Sequence, residues 1–284
     1  MTGTYLAPAK INLGLEVLYK RPDGYHELNT LFLRVEEPHD TITVSPSGAF
    51  LLTSSNAALS GDTANIVYRA AEEFCHEVVE PLPRLHVHLS KKIPMGAGLG
   101  GGSSDAAIML SILNDWYVSN GHSAVSDEEL SKLALKLGAD VPFFLSGARV
   151  AQAGGIGEKL EPIRTRFEAS VMIVVDPHIH VSTKNAYAAL HTEAHYPRVD
   201  YRALFAANVP ISKWKETLGN DFEPAIFGQF PQLGHSKHAL YARGATFALM
   251  SGSGSALYGL FQNEGAAAAA KAAFEKEGLA VFLS

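Results

Sequence analysis

Residues 94–104 read Pro-Met-Gly-Ala-Gly-Leu-Gly-Gly-Gly-Ser-Ser, with five glycines between Gly96 and Gly102. Before this stretch Leu85, Val87 and Leu89 alternate as one face of a strand that runs through Lys91 and Lys92. After it Ala106 to Tyr117 is apolar on nearly all sides, the mark of a helix buried in a domain interior. Strand, glycine loop and helix in that order present backbone N–H groups, unobstructed by Cβ atoms, beside the positive end of a helix dipole. That is an anion cradle, and phosphate is its natural ligand. A flexible connector is the plainest competitor, but a linker is rarely followed at once by an all-apolar helix. A dinucleotide turn also competes, since Gly96, Gly98 and Gly101 satisfy G-x-G-x-x-G. The second strand and acidic ribose contact due some 20 residues on are replaced by a helix and then a polar loop. A Walker A loop fails because Gly102 stands where its lysine belongs. What remains is a nucleoside triphosphate site of another architecture.

Outward from the loop the pattern is mixed α and β. From Lys10 to Val17 the residues alternate, so Ile11, Leu13, Leu15 and Val17 share one strand face while Lys10 and Asn12 point together to the other. Pro22-Asp23-Gly24 is a turn signal, and the apolar run from Leu28 to Val35 predicts an antiparallel hairpin with Tyr25 and His26 just after the turn. Ile66 to Val78 keeps helical spacing. Ser126 with Glu129 forms a capping box for a helix that stops at Gly138, which leaves Asp140 just past a helix end. Glycine and proline punctuation from Gly154 to Pro162 suggests a boundary. Beyond it, strands at Val171–Val175, Thr246–Met250, Ala256–Phe261 and Leu279–Leu283 mix with helices, one of them the Ala-rich stretch from Gly265 to Ala273. This is α+β rather than a regular parallel series.

The chain has 284 residues, enough for two domains with cores of their own. With 47% hydrophobic and 18% charged residues it has a globular composition. A net charge of −6 without a Lys/Arg-rich run argues against nucleic acid and membrane surfaces as partners. Cys75 has no intramolecular partner and reads as a small buried hydrophobe. Met1 to Leu15 lacks the apolar core of a signal peptide, and no apolar run approaches bilayer-spanning length. A cytoplasmic location is therefore expected. His86 with His88, and His178 with His180, each share a strand face, but no acidic or cysteine partner lies nearby in sequence, so satisfied or exposed histidines are expected rather than a protein-ligated metal.

The loop Pro94-Met95-Gly96-Ala97-Gly98-Leu99-Gly100-Gly101-Gly102-Ser103-Ser104 resembles the ATP-binding motif of the GHMP small-molecule kinases. Two further blocks of that family stand in the same order, Pro8-Ala9-Lys10-Ile11-Asn12-Leu13 and the late loop Ser251-Gly252-Ser253-Gly254-Ser255. Within the family, Arg21-Pro22-Asp23-Gly24-Tyr25-His26-Glu27-Leu28, Leu137 to Phe144 and Asn220-Asp221-Phe222-Glu223-Pro224 resemble the branch that acts on a cytidine diphosphate derivative of methylerythritol. Ala97 and Asp105 are read as positions where side-chain identity is loose.

The resemblance implies an α+β, two-domain GHMP kinase fold, with a ribosomal-protein-S5-like N-terminal domain over 1–155 and a ferredoxin-like C-terminal domain over 156–284, the active site in the cleft between them. It implies phosphoryl transfer from ATP, with Mg²⁺ arriving on the nucleotide, to the 2-hydroxyl of the small-molecule substrate, by a monomer or weak homodimer. Asp140 is then the general base, and Lys10 orients it and offsets charge; taken alone, Asp140 reads as a turn or cap residue and Lys10 as a surface lysine. Ser103 and Ser104 add hydroxyls to phosphate or Mg²⁺, and Asn65 and Lys91 match positions near adenosine. Tyr25 and Tyr187 match the rings that sandwich cytosine, His26 reads its edge, and Asn12 contacts substrate near the transfer site. Thr183, Gly252 and Gly254 match positions at the substrate phosphates. A homoserine- or mevalonate-type kinase, a non-catalytic nucleotide-binding protein and a dinucleotide oxidoreductase are the alternatives.

Overall fold

The alternation from Lys10 to Val17 sits inside a longer strand, β1 (Gly3–Lys20), which pairs with β2 (His26–Pro46) through the expected turn. The computed structural model describes the whole chain apart from residues 166–168, 177 and 191–196. It divides into two compact units, each assembled from several stretches. Met1–Ala9, His39–Ile93 and Gly100–Gly147 form the first; Lys10–Pro38, Pro94–Leu99 and Ala148–Ser284 form the second.

In the first unit, β4 (Leu85–Ser90) runs antiparallel to the Thr41–Pro46 end of β2 and parallel to β3 (Leu51–Ser54). α1 (Ile66–Glu77), α2 (Gly101–Ser119), α3 (Asp127–Leu137) and α4 (Val141–Leu145) pack on one another, with α2 against the other three. α2 is buried from Ser104 to Leu110 on nearly every side, as the apolar run from Ala106 to Leu110 requires, and it carries the polar Ser104 and Asp105 inward with it. Ser126 caps α3 with both hydrogen bonds of the capping box present.

In the second unit, β5 (Val150–Gly154) pairs antiparallel with Thr30–Leu33 of β2 and with β6 (Lys159–Pro162). The Gly154–Pro162 punctuation is thus the turn of a hairpin and its second strand. β7 (Ser170–Val175) is followed by α5 (Thr183–Ala188), α6 (Tyr201–Ala206), α7 (Glu223–Gln229) and α8 (Pro231–Ala242). β8 (Phe247–Met250), β9 (Leu257–Phe261), α9 (Glu264–Lys276) and β10 (Ala280–Leu283) complete the chain. A four-stranded antiparallel sheet in the order β10-β7-β9-β8 carries α8 and α9. Met172, Val174, Leu240, Phe261 and Phe274 form its apolar core. Their removal from water is the main favourable term holding the helices to the sheet.

Candidate active site

In the second unit three sequence-distant stretches converge. The Lys10 N–H donates to the Leu99 carbonyl at 2.9 Å, and the Ala256 N–H donates to the Ala97 carbonyl at 3.1 Å. The Ser251 hydroxyl donates to the Gly98 carbonyl at 2.9 Å and accepts from the Asn12 N–H at 3.3 Å. The strand carrying Lys10 and Asn12, the glycine loop and the late loop are therefore one hydrogen-bonded assembly. Gly98 has φ +78°, and a Cβ there would lie 2.2 Å from the Ser251 carbonyl oxygen, so only glycine permits this approach. Gly252 and Gly254 take positive φ as well, and the Asn220 side-chain amide donates 2.8 Å bonds to the Met250 and Gly252 carbonyls on either side of Ser251.

Lys10 and Asn12 share a strand face, as alternation predicts. The buried Lys10 ammonium donates to Asn12 Oδ1 at 2.8 Å and lies 4.9 Å from the Phe32 ring centroid. Asn12 Nδ2 donates to Thr30 Oγ1 at 2.8 Å, and that hydroxyl donates to the Gly14 carbonyl at 2.6 Å. A lysine held this way is not the mobile surface residue its type suggests; the chain through Thr30 fixes the amide and the amide fixes the ammonium. Thr183 Oγ1 lies 3.0 Å from Ser253 Oγ, so Thr183 joins the late loop.

Further along the same unit, the turn at Pro22–Gly24 is clasped by Arg21. Its guanidinium bonds Asp23 at 3.1 Å and Glu27 at 2.9 Å, while Glu27 accepts the Gly155 N–H at 3.1 Å. Tyr25 is 60% exposed. His26 stacks on Tyr187 with centroids 4.6 Å apart, and Tyr187 meets Phe222 edge-on at 4.9 Å. The structure thus stacks the expected edge reader on one of the two expected sandwich rings. Tyr25, exposed at the turn, stands outside this stack. Burial, with Lys20 nearby, holds the His26 pKa below its ordinary value. The neutral ring so favoured offers one donor and one acceptor, which suits the edge of a nucleobase.

The first unit holds the rest. Ser103 and Ser104 lie in the first turn of α2, after Gly100 at its N-cap with φ +70°. The buried Ser104 hydroxyl finds no hydrogen-bond partner among the described residues. Asp140 sits in the turn at the N-cap of α4, and its side chain caps no backbone N–H of that helix. Asn65 caps α1 through Val67 N–H at 3.0 Å and donates to the Ser60 carbonyl at 3.0 Å.

Lys91 is turned inward. Its ammonium is bonded to Asp40 and, at 2.7 Å, to Asp105, with 7% of the side chain exposed. Asp105 is therefore not a loose position, contrary to the reading of the motif. It is buried in the second turn of α2 and paired. Burial raises its pKa, Lys91 opposes this and the Asp40 carboxylate adds to it, and the balance leaves it at about 7. Burial also works against the charge of Lys91, but the two carboxylates outweigh it and its pKa is raised. Sequence reasoning missed Asp40, Thr30, Ser251 and Asn220. Ser251 and Asn220 carried a signal, the motifs that contain them; Asp40 and Thr30 are ordinary residues made important by what the fold brings to them. His86 Nε2 and His88 Nδ1 both meet the Thr53 hydroxyl at 2.8 Å. Among the described residues no group of three or more His, Cys, Asp or Glu side chains stands where a metal ion would be held, and no helix is long and apolar enough to cross a membrane.

Comparison with known proteins agrees with this geometry. The GHMP kinases N terminal domain matches residues 65–148, and the GHMP kinases C terminal domain matches 209–280. The chain belongs to the GHMP kinase family. The 4-diphosphocytidyl-2-C-methyl-D-erythritol kinase of Bacteroides thetaiotaomicron is 42% identical, over 90% of this chain and 91% of its own. That of Chlorobium phaeovibrioides is 41% identical, over 99% and 95%. A crystal structure of 4-(cytidine 5'-diphospho)-2C-methyl-D-erythritol kinase superposes with a TM-score of 0.81 at 35% identity, covering 99% of this chain and 98% of that one. Homoserine kinase from Cytophaga hutchinsonii, at 17% identity and a TM-score of 0.69 over 100% and 93%, shares the fold.

Proposed function

We propose that this chain transfers the γ-phosphoryl group of ATP to the 2-hydroxyl of 4-diphosphocytidyl-2-C-methyl-D-erythritol. The observation that carries the reading is the assembly of Lys10, Asn12, Gly98 and Ser251 with an aromatic patch of His26 and Tyr187 on the same unit, in a chain 42% identical to a kinase of that name. On this reading residues 1–155 form the ATP-binding domain and 156–284 the second domain.

In the reaction the substrate 2-hydroxyl oxygen bonds to the γ-phosphorus while the bond from that phosphorus to the bridging oxygen breaks. ADP leaves, and the hydroxyl proton passes to the Asp140 carboxylate. The loop from Pro94 to Ser104 holds the phosphates through its backbone N–H groups. Lys10, fixed by Asn12, orients Asp140 and offsets charge that develops on transfer. The donors fit Mg²⁺ bound chiefly by ATP: the chain offers the Ser103 and Ser104 hydroxyls, the latter an unpaired buried oxygen, and the ion supplies charge neutralisation at the phosphate oxygens. Asn65 and Lys91 act near the adenosine, the latter as developed below. Tyr25 and Tyr187 supply ring surface to cytosine, His26 reads its edge, and Thr183 with the amides of Gly252 and Gly254 meets the substrate phosphates. The chain works in the cytoplasm as a monomer or weak homodimer.

The test is ADP release from ATP and Mg²⁺ with the cytidine diphosphate substrate, beside homoserine, mevalonate and a cytosine-free methylerythritol phosphate. Turnover with the first alone supports the reading, and turnover with another alcohol discards the cytosine patch. In the same assay Asp140→Asn is expected to bind ATP normally and lose about 10²–10⁴ in kcat. Activity within a few-fold of the parent removes Asp140 from the role of base.

A further inference from the structure

We propose that Lys91, Asp40 and Asp105 form a positioning clasp that holds the two flanks of the glycine loop at a fixed span, so that affinity for ATP depends on residues that do not touch the nucleotide. The proposal rests on the reading that this loop binds ATP. Asp40, on the far half of β2, is fully buried and accepts the N–H groups of Lys92 and, at 2.8 Å, Ile93, the last two residues before Pro94. Its other carboxylate oxygen holds the Lys91 ammonium. The ammonium reaches across to Asp105, 2% exposed, on the helix that begins where the loop ends. One carboxylate therefore fixes the segment between β4 and the loop, one the helix that leads out, and a single cation joins them. Gly101 closes the span, for a Cβ there would stand 2.9 Å from the Ile93 side chain and 3.3 Å from Asp40.

Stability alone does not account for this cluster. Two carboxylates and an ammonium removed from water cost several kcal/mol each before they attract one another, and apolar side chains of the same volume often serve a core as well or better. What an ion cluster supplies that apolar packing does not is direction, since charge-assisted bonds hold their partners at set distances and angles. Backbone N–H groups that cradle phosphate need such positioning, because a misplacement near 1 Å is costly. With two of its three N–H groups committed to carboxylates, Lys91 has at most one left for a ligand.

The test separates a clasp from a direct contact. Asp105→Ala leaves Lys91 and its charge in place but cuts the link to α2; Asp105→Asn keeps an acceptor there. With a clasp, Asp105→Ala raises KM for ATP, and the Kd of a fluorescent ATP analogue measured without the second substrate, by about 10-fold, with kcat and KM for the cytidine substrate within about twofold of the parent. Asp105→Asn restores most of the loss. A folded Asp105→Ala with parental ATP affinity overturns the proposal, as does an equal rise in both KM values. If Asp105→Ala does not fold, Asp105→Leu, which fills the volume without an acceptor, takes its place with the same readouts, since Lys91 and Asp40 stay paired. A parent protein silent with every alcohol and without ATP affinity would sink the kinase reading, a result distinct from an active parent whose variants bind ATP unchanged.

Discussion

Two turns of this chain are held by a cation between carboxylates, and they differ in where the charges lie. The glycine loop is flanked by Lys91 between Asp40 and Asp105, with 7%, 0% and 2% of their side chains exposed. The turn that bears Tyr25 and His26 is clasped by Arg21 between Asp23 and Glu27, with 27%, 47% and 18% exposed. In the dry cluster each partner has given up water, so removing one strands the others. In the wet one water replaces whatever is removed, and salt screens the rest. The same chemistry is therefore a rigid fixture in one place and an adjustable one in the other. On the proposed function, a loop that binds phosphate by its backbone would benefit from the first, and a turn beside the His26–Tyr187 stack that admits a base would be suited by the second.

The largest expected effect comes from Asp40→Ala, which deprives Lys91 of a partner, the Lys92 N–H of its bond to this carboxylate, and the buried Ile93 N–H of its acceptor. A loss of about 3–5 kcal/mol in urea unfolding is expected, and a loss below about 1 kcal/mol would make the dry cluster energetically like the wet one.

Next comes the pH dependence tied to Asp105. Its pKa in the folded protein, about 7, stands above the unfolded value of 3.8, so the folded state binds the proton more tightly. This group's contribution therefore falls as pH rises from about 4 to 7 and stays low above that. Asp105→Asn removes the penalty while keeping an acceptor for Lys91. The Tm of the variant should gain on the parent as pH goes from 5 to 8, and a gap that stays constant or narrows over that interval contradicts the assignment.

The smallest effect on stability belongs to Arg21→Ala, for which a Tm within about 2 °C of the parent is expected. Its kinetic signature sharpens the contrast: KM for the cytidine substrate rises a few-fold, KM for ATP is unchanged, and raising the salt concentration moves the parent toward the variant. Equal damage to both KM values would show that the wet clasp also acts on the glycine loop.

Much of the fold was legible because its signals are local. Period-2 alternation marked β1 and β4, a predominantly apolar sequence marked α2, and Ser126 with Glu129 marked the start of α3. Lys10 and Asn12 were placed together by strand geometry, and their 2.8 Å bond follows from it. The Gly154–Pro162 punctuation was ambiguous because a hairpin turn and a domain boundary draw on the same residues. Asp105 was misread because its partners, Asp40 and Lys91, lie 65 and 14 residues away, which no local pattern records.

The sequence by itself determined the glycine loop, the elements on either side of it and the family, since glycine content, periodicity and capping are short-range properties of consecutive residues. The tertiary structure alone decided that Thr30 and Ser251 fix the Lys10 strand, that Gly98 has no room for a side chain, that His26 lies on Tyr187, and that an inward lysine binds two carboxylates. Each of those is a distance between atoms remote in sequence, and burial, which sets the strength of every charge involved, exists only once the chain has folded around them.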